Sequence, residues 1–342
     1  MSLFKPNSIL VTGGAGFIGC NYIRKMLATY KDVKIINLDK LTYAGSEKNL
    51  TDVKNNPNYE FVRGDICDRA LIDKLFQHHQ IDTVIHFAAE SHVDRSISGP
   101  EPFIQTNIVG TFTLLEAARL FWLVEKKLSE KECRFHHVST DEVYGTLSKE
   151  DSPFTEQSPY QPNSPYSASK AGSDHLVRAY FHTYKLPTIT TNCSNNYGPY
   201  QHSEKLIPTI INACLQQLPI PIYNDGSNIR DWLYVEDHCD ALDIVMRQGK
   251  LGETYNIGGN NEWSNLNVVK QITAMMDSYF PDLAPHAKLI QFVKDRPGHD
   301  WRYAIDPSRM QTELNWMPKH DFQEGIRRTV EWFMSFMTLE MA

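Results

Sequence analysis

What this sequence lacks narrows what the chain can be. No apolar stretch approaches the roughly 20 residues of a membrane span, so no transmembrane segment is expected. The start, Met1 to Asn7, carries Lys5 but no apolar run long enough for a secretory leader, so no signal peptide is read there. Positive charge is in deficit. The 34 Lys and Arg against 41 Asp and Glu leave a net charge of −7. That argues against nucleic-acid binding as the main business, while leaving room for a local basic pocket around a phosphorylated ligand. Paired cysteines are missing. Cys20, Cys67, Cys133, Cys193, Cys214 and Cys239 form no Cys-x-x-Cys and are irregularly spaced, the pattern of reduced thiols in a cytoplasmic protein. His78-His79 and His136-His137 are sequence neighbours whose side chains point apart, so no metal is expected. The chain has no internal repeat and no low-complexity tract.

What is present is an alternation of strands and helices. Ser8 to Thr12 is a β-leaning apolar run that leads into Gly13-Gly14-Ala15-Gly16-Phe17-Ile18-Gly19. A helical stretch from Cys20 to Tyr30 follows, then a buried strand from Val33 to Leu38 that ends at Asp39. Strand, glycine turn, helix, strand and acid is the dinucleotide-binding arrangement. Gly13 permits the tight turn, Gly16 lets backbone approach a pyrophosphate, and Gly19 lets the helix pack on the sheet. The helix N-terminus offers free N–H groups to phosphates. Asp39 suits ribose hydroxyls and repels a 2′-phosphate, which favours NAD over NADP, although Lys40 beside it blurs that preference.

The alternation continues through strands at Tyr59–Arg63, Thr83–Phe87, Arg134–Val138 and Thr188–Asn192 and helices at Ala70–His79, Thr106–Leu123 and Tyr166–Tyr184. This predicts an α/β fold, a Rossmann-like doubly wound parallel sheet whose ligands sit at the carboxyl ends of the strands. After Asn195 prolines interrupt the pattern. Only Glu253–Ile257, Lys288–Val293 and an amphipathic helix Phe322–Met337 stand out, and the region reads as a smaller, interleaved C-terminal substrate domain. The expected division is residues 1–194 plus about 230–258 for the cofactor and about 195–229 plus 259–342 for the substrate.

Two ionisable pairs fall between Ser139 and Lys170. Tyr166 and Lys170 are four apart and share a helix face. An ammonium one turn along, and a positive nicotinamide, would favour the phenolate that takes a hydroxyl proton as hydride leaves carbon. Thr140 could hydrogen-bond the phenol or a substrate oxygen. Asp141 and Glu142 follow directly. Unequal burial would push their pKa values apart, leaving one to act as acid and the other as base.

Gly-Gly-Ala-Gly-Phe-Ile-Gly, Ser-Thr-Asp-Glu-Val-Tyr-Gly and Tyr-Ser-Ala-Ser-Lys together resemble the extended short-chain dehydrogenase/reductase family. Within it the chain resembles the dTDP-glucose 4,6-dehydratases. That narrower likeness rests on Ala88–Ser96, Thr140-Asp141-Glu142, Asn195–Pro199, Arg230–Asp237 and Asp295–Asp300, and it spans nearly the whole chain. The Asp-Glu pair is its specific part, because sugar-nucleotide epimerases of similar fold lack it. The resemblance implies tightly bound NAD, a nucleoside diphosphate-glucose substrate, a role in making deoxysugars such as rhamnose, and a homodimer built on the helices at Thr106–Leu123 and Tyr166–Tyr184. It implies oxidation at C4 with Tyr166 as base, removal of the C5 proton by Glu142, protonation of the departing 6-hydroxyl by Asp141, and return of the hydride to C6.

It also implies NAD contacts at Phe17, Ile18, Asp39, Lys40, Thr42, Asp65, Ile66, Ala88, Ala89, Thr106, Tyr166, Lys170 and Asn196. Substrate contacts are implied at Ser91, Thr140, Asn195, Lys205, Leu206, Pro221, Ile222, Tyr223, Arg230, Asn265, Arg296 and His299. Arg230 and Arg296 suit a diphosphate and Tyr223 a nucleobase. Other readings stand beside these: Arg230 as an ion pair with Asp231, and Asn265 as a turn cap. A related epimerase or decarboxylase would leave Asp141-Glu142 without a task. A non-catalytic NAD-binding scaffold would have no need of Thr140, Tyr166 and Lys170.

Overall fold

The computed structural model describes residues 3–295 and 297–340, and of residues 336–340 the backbone alone. In chain order the strands are β1 (Ser8–Thr12), β2 (Lys34–Asp39), β3 (Tyr59–Arg63), β4 (Thr83–His86), β5 (Arg134–Thr140), β6 (Thr188–Cys193), β7 (Asn195–Tyr197), β8 (Ile220–Tyr223), β9 (Ile229–Tyr234), β10 (Thr254–Ile257), β11 (Glu262–Ser264) and β12 (Ile290–Val293). Seven of them form one parallel sheet in the order β10-β6-β5-β4-β1-β2-β3. Every residue of β1, β4, β5 and β6 is buried, as expected of strands covered on both faces.

The chain leaves β1 towards β2 on one side and returns to β4 on the other. A crevice therefore opens between the loops after β1 and β4. Thr12 lies level with Leu38 and His86, and Thr140 with Cys193, so the strand ends form one edge. One face of the sheet is covered by helices Phe17–Thr29 and Val235–Gln248, whose Tyr22, Ile23, Met26, Leu242 and Met246 are sealed in a single core. The other face is covered by Arg69–His79, Glu101–Glu125 and Pro165–Tyr184, with Ile72, Phe76, Leu115, Trp122 and Val177 in a second core. The Pro165–Tyr184 helix has an exact start: Ser164 and Ser167 form a reciprocal capping box, with Pro165 in the first turn.

Helix Glu101–Glu125 departs from the sequence expectation. It is longer than the stretch expected, and it is apolar enough by length and composition to cross a membrane. Over half of that apolar window is buried against the sheet and its neighbours, the behaviour of a core helix.

The region after Asn195 is more regular than its prolines suggest. A three-stranded sheet, β11-β9-β7, and a two-stranded one, β12-β8, carry helices Leu206–Gln216, Asn265–Tyr279 and Phe322–Glu340 over a third core that includes Ile207, Ile211, Trp232, Val269, Ile272 and Phe322. β8 reads Ile-Pro-Ile-Tyr. A proline demotes a strand in a sequence reading, yet it is tolerated here on a short edge strand. Met310, Leu314 and Trp316 pack into the core of the large sheet.

Candidate active site

A cleft of about 370 Å³ follows the carboxyl edge of the large sheet. At one end is the turn after β1. Gly13 has φ +71°, and a Cβ there would lie 2.7 Å from the Ala88 nitrogen. Only glycine meets both demands. A Cβ on Gly19 would lie 2.5 Å from the Gly13 carbonyl oxygen, so the helix seats directly on the turn. Gly16 stands at the N-cap of that helix, where no described side chain makes a cap hydrogen bond, and the first-turn residues Phe17, Ile18 and Gly19 line the cleft.

Asp39 ends β2 and accepts N–H groups from Ala15 at 2.9 Å and Leu41 at 2.8 Å. Lys40 gives its ammonium to Asp65 at 2.7 Å, so its charge is directed to that acid and Asp39 keeps its preference for ribose hydroxyls over a 2′-phosphate. Glycine cradle, uncapped helix end and acid together fit a dinucleotide.

The other end of the cleft holds the two ionisable pairs. Thr140 is the last residue of β5, and its hydroxyl caps the short turn Asp141–Tyr144 by accepting the Glu142 N–H at 3.3 Å. The same hydroxyl donates to Asp141 Oδ1 at 3.3 Å. Asp141 is 1% exposed, and its Oδ2 has no hydrogen-bond partner among the described residues. Burial first, and then Glu142 and Asp231, push its carboxyl well above the ordinary range, against an opposing pull from Arg230. Its surroundings thus favour the protonated form. Glu142 beside it is half-buried and lines the same cleft.

Tyr166 and Lys170 face this pair from the Pro165–Tyr184 helix. Burial and then Glu142 raise the Tyr166 phenol well above its usual value, while Thr140 pulls it down. Lys170 donates to the Val138 carbonyl at 2.9 Å. Burial lowers its pKa, and Asp174 one turn on works against that. The sequence expectation had the Lys170 ammonium and a positive nicotinamide together favouring phenolate. Among the side chains, burial works against phenolate at Tyr166.

All the sequence-predicted catalytic and cofactor positions line this cleft, as do Ser91, Asn195, Lys205 and Leu206. Asn195 turns a buried Oδ1 with no described partner into the structure, which suits a ligand donor. Lys205 reaches the Ser91 carbonyl at 3.2 Å across the mouth. The remaining substrate positions lie outside the lining. Ile222 differs most from expectation: its side chain is sealed in the third core, leaving only backbone for a ligand. Pro221 and Tyr223 flank it on the exposed face of β8. Tyr223 meets the His299 ring edge-on at 5.8 Å, and His299 pairs with Asp295 at 2.6 Å. Arg230 donates to the carbonyls of Ile229 and Asp300 at 2.7 and 3.0 Å and lies over the Tyr303 ring. Asp231 accepts the N–H groups of Gly259 and Asn261. Asn265 is the first helical residue, and the cap is Ser264. Arg296 lies outside the described residues.

Sequence reasoning missed Cys193, Gln201, His202 and Trp232, which also line the cleft. Cys193 ends β6, so the rule that ligands gather at strand ends was the available signal. Its thiol is pushed up to about 12 by burial and then Asp141, and it donates to the Ser139 carbonyl at 3.4 Å.

Residues 10–329 match the family described as GDP-mannose 4,6 dehydratase. The chain is 55% identical over 334 residues to the dTDP-glucose 4,6-dehydratase of Neisseria meningitidis, covering 96% of this chain and 94% of that protein. Among solved structures it is similar to the Bacillus anthracis dTDP-glucose 4,6-dehydratase in complex with NAD, at TM-score 0.84 and 46% identity over 96% of each chain. The Streptomyces venezuelae dTDP-glucose 4,6-dehydratase, also with NAD bound, superposes at TM-score 0.87 with 43% identity, covering 97% of this chain and 98% of that one.

Proposed function

The chain belongs to the GDP-mannose 4,6 dehydratase family, and from that premise we infer that it dehydrates dTDP-glucose to the 4-keto-6-deoxy sugar nucleotide, using bound NAD. The observation that carries this reading is Asp141. A buried carboxyl, its pKa pushed up and one oxygen without a partner among the described residues, stands next to Glu142 in the cleft that also holds Tyr166. A redox enzyme that only oxidised and reduced one carbon would have no task for it.

Bound NAD supplies the hydride acceptor for C4, the donor for C6, and a positive ring that opposes the upward push on Tyr166. Tyr166 takes the 4-hydroxyl proton, steadied by Thr140. The ketone at C4 acidifies the C5 hydrogen, which is otherwise far too weak an acid for a carboxylate. Glu142 removes that proton. Asp141 gives its proton to the 6-hydroxyl, and water leaves. Glu142 returns a proton to C5 as C6 is reduced. Gly13, Gly16, Phe17, Ile18, Gly19, Asp39, Thr42, Asp65, Ile66, Ala88, Ala89, Thr106 and Asn196 would hold the dinucleotide. Ser91, Asn195, Lys205 and Leu206 would hold the sugar nucleotide, with Tyr223, Arg230, Asn265 and His299 further out.

The division into a cofactor part and an interleaved substrate part belongs to the same reading. It is supported by separate cores under the large and small sheets. Six free cysteines suit a cytoplasmic protein. A homodimer is supported by Ile104, Phe112 and Tyr184, large apolar groups left exposed on the two helices that would pair.

Incubation with dTDP-glucose in deuterated water, followed by mass spectrometry, tests the activity. The product should lose one water and gain deuterium at C5. A stereoisomer formed without water loss would overturn the reading in favour of epimerisation.

A further inference from the structure

Asn196 lines the cleft, and the reading above gives it to the dinucleotide. A carboxamide has a donor end and an acceptor end of nearly the same shape. At its phosphates and at the nicotinamide carbonyl, NAD offers only acceptors. An asparagine that meets such a group must turn its nitrogen outward, because the reversed amide repels it. The fold therefore has to set which end of Asn196 faces the cleft.

The surrounding bonds set it. Ser194 is the link between β6 and β7, and its carbonyl oxygen can only accept. The Asn196 amide nitrogen gives it one N–H at 3.0 Å. That leaves Asn196 Oδ1 against His238 Nδ1 at 2.8 Å, so Nδ1 carries the ring proton and donates. His238 is fully buried, and burial pushes its pKa down to about 3, so the ring stays a neutral donor near neutral pH. Its other nitrogen, Nε2, has no hydrogen-bond partner among the described residues, so the ring is tied to Asn196 alone among them. His238 rides on helix Val235–Gln248, whose apolar side is sealed in the core of the large sheet. Gln201 donates to the Asn196 carbonyl at 2.9 Å and holds the backbone. Of the two Asn196 amide N–H groups, the second remains for the cleft.

We propose that His238 is a positioning residue for the cofactor: by holding the Asn196 oxygen inward, it keeps the amide N–H turned to an acceptor oxygen of NAD. Without that donor, Oδ1 is a buried acceptor with no partner, and the open cleft is where it turns. Asn196 then shows the dinucleotide a lone pair in place of a proton. His238 moves no proton and touches no reacting atom in this role. The inference rests on the reading of Asn196 as a dinucleotide contact and is independent of the chemistry given to Asp141 and Glu142.

Exchange of bound NAD for radiolabelled NAD in the purified holoenzyme tests it, since this reads the cofactor without turnover. The wild type is compared with His238→Phe, His238→Asn, Asn196→Ala and the double variant His238→Phe with Asn196→Ala. His238→Leu replaces phenylalanine if the larger ring does not pack. An asparagine at 238 can place an amide N–H where the ring carried Nδ1. His238→Phe should release NAD about 5- to 10-fold faster, the scale of one neutral hydrogen bond. His238→Asn should bring release back to near the wild-type rate. Asn196→Ala should match His238→Phe, and the double variant should be no faster than Asn196→Ala. An unchanged rate in His238→Phe overturns the inference. So do effects that multiply in the double variant, or a His238→Asn rate as fast as that of His238→Phe, because the ring then acts only through packing. If Asn196→Ala leaves release unchanged, the reading of Asn196 as a dinucleotide contact falls, and the inference with it.

Discussion

Asp141 sits where burial and a neighbouring acid both oppose ionisation. The unfolded chain ionises it at ordinary carboxylate pH, while the folded chain ionises it only at higher pH. Its burial therefore costs more stability as pH rises above the ordinary carboxylate range, until the folded group itself ionises. Asp141→Asn should raise the melting temperature, by more at pH 8 than at pH 5, while lowering dehydration by about 10²–10⁴-fold. A melting temperature that falls equally at both pH values would contradict this account of the site. Glu142→Gln should slow C5–H exchange by a similar factor and leave NAD bound. Full activity in either variant would cancel the role given to it.

Asp174 is a second buried acid, and it illustrates what a sequence hides. Burial raises its pKa to about 6, against Lys170 and the Ser139 hydroxyl, which donates to it at 2.9 Å. His137 Nε2 lies 3.0 Å from its other oxygen. Removing this anion should lower the Lys170 pKa further, so Asp174→Asn should move the alkaline limb of the pH–rate profile to lower pH. An unmoved limb would show that Lys170 does not depend on it. Tyr166, Lys170, Asp141 and Glu142 were legible because their types and spacing already carry chemistry. Asp174 and Cys193 were not, because a lone acid on a helix or a lone thiol on a strand acquires meaning only from what folds against it.

At the scale of elements, the turn after β1 was the most readable part of the chain. Its glycines are dictated locally, by a left-handed φ at Gly13 and close backbone on two sides. Gly13→Ala should cost about 1–2 kcal/mol through backbone conformation alone, and more through the clash with Ala88. Urea unfolding would measure the loss, and purified protein should retain little NAD. The strands β1, β2 and β4 were legible for a related reason: a strand buried on both faces reads as a largely apolar run. Of the small sheets, only β12 was anticipated, as Lys288–Val293. β7 and β11 have three residues each and β8 contains Pro221, so none carries a period long enough to read. The acid-rich start of helix Val235–Gln248 similarly masked an apolar stripe at Cys239, Leu242, Val245 and Met246.

For the whole molecule, the large sheet brings the nucleotide cradle and the two ionisable pairs onto one edge, and the later sheets pack alongside it. The exposed Ile104 and Phe112 on helix Glu101–Glu125 mark where a second copy would pair. Phe112→Glu should give a monomer in analytical ultracentrifugation, and an unchanged sedimentation coefficient would place the interface elsewhere. The central claim is that two half-sites act in sequence on neighbouring carbons of one sugar, with the hydride kept inside the enzyme. dTDP-glucose carrying deuterium at C4 tests it most directly. The label should appear in the C6 methyl group of the product. Label returned to C4, or lost to water, would contradict the account.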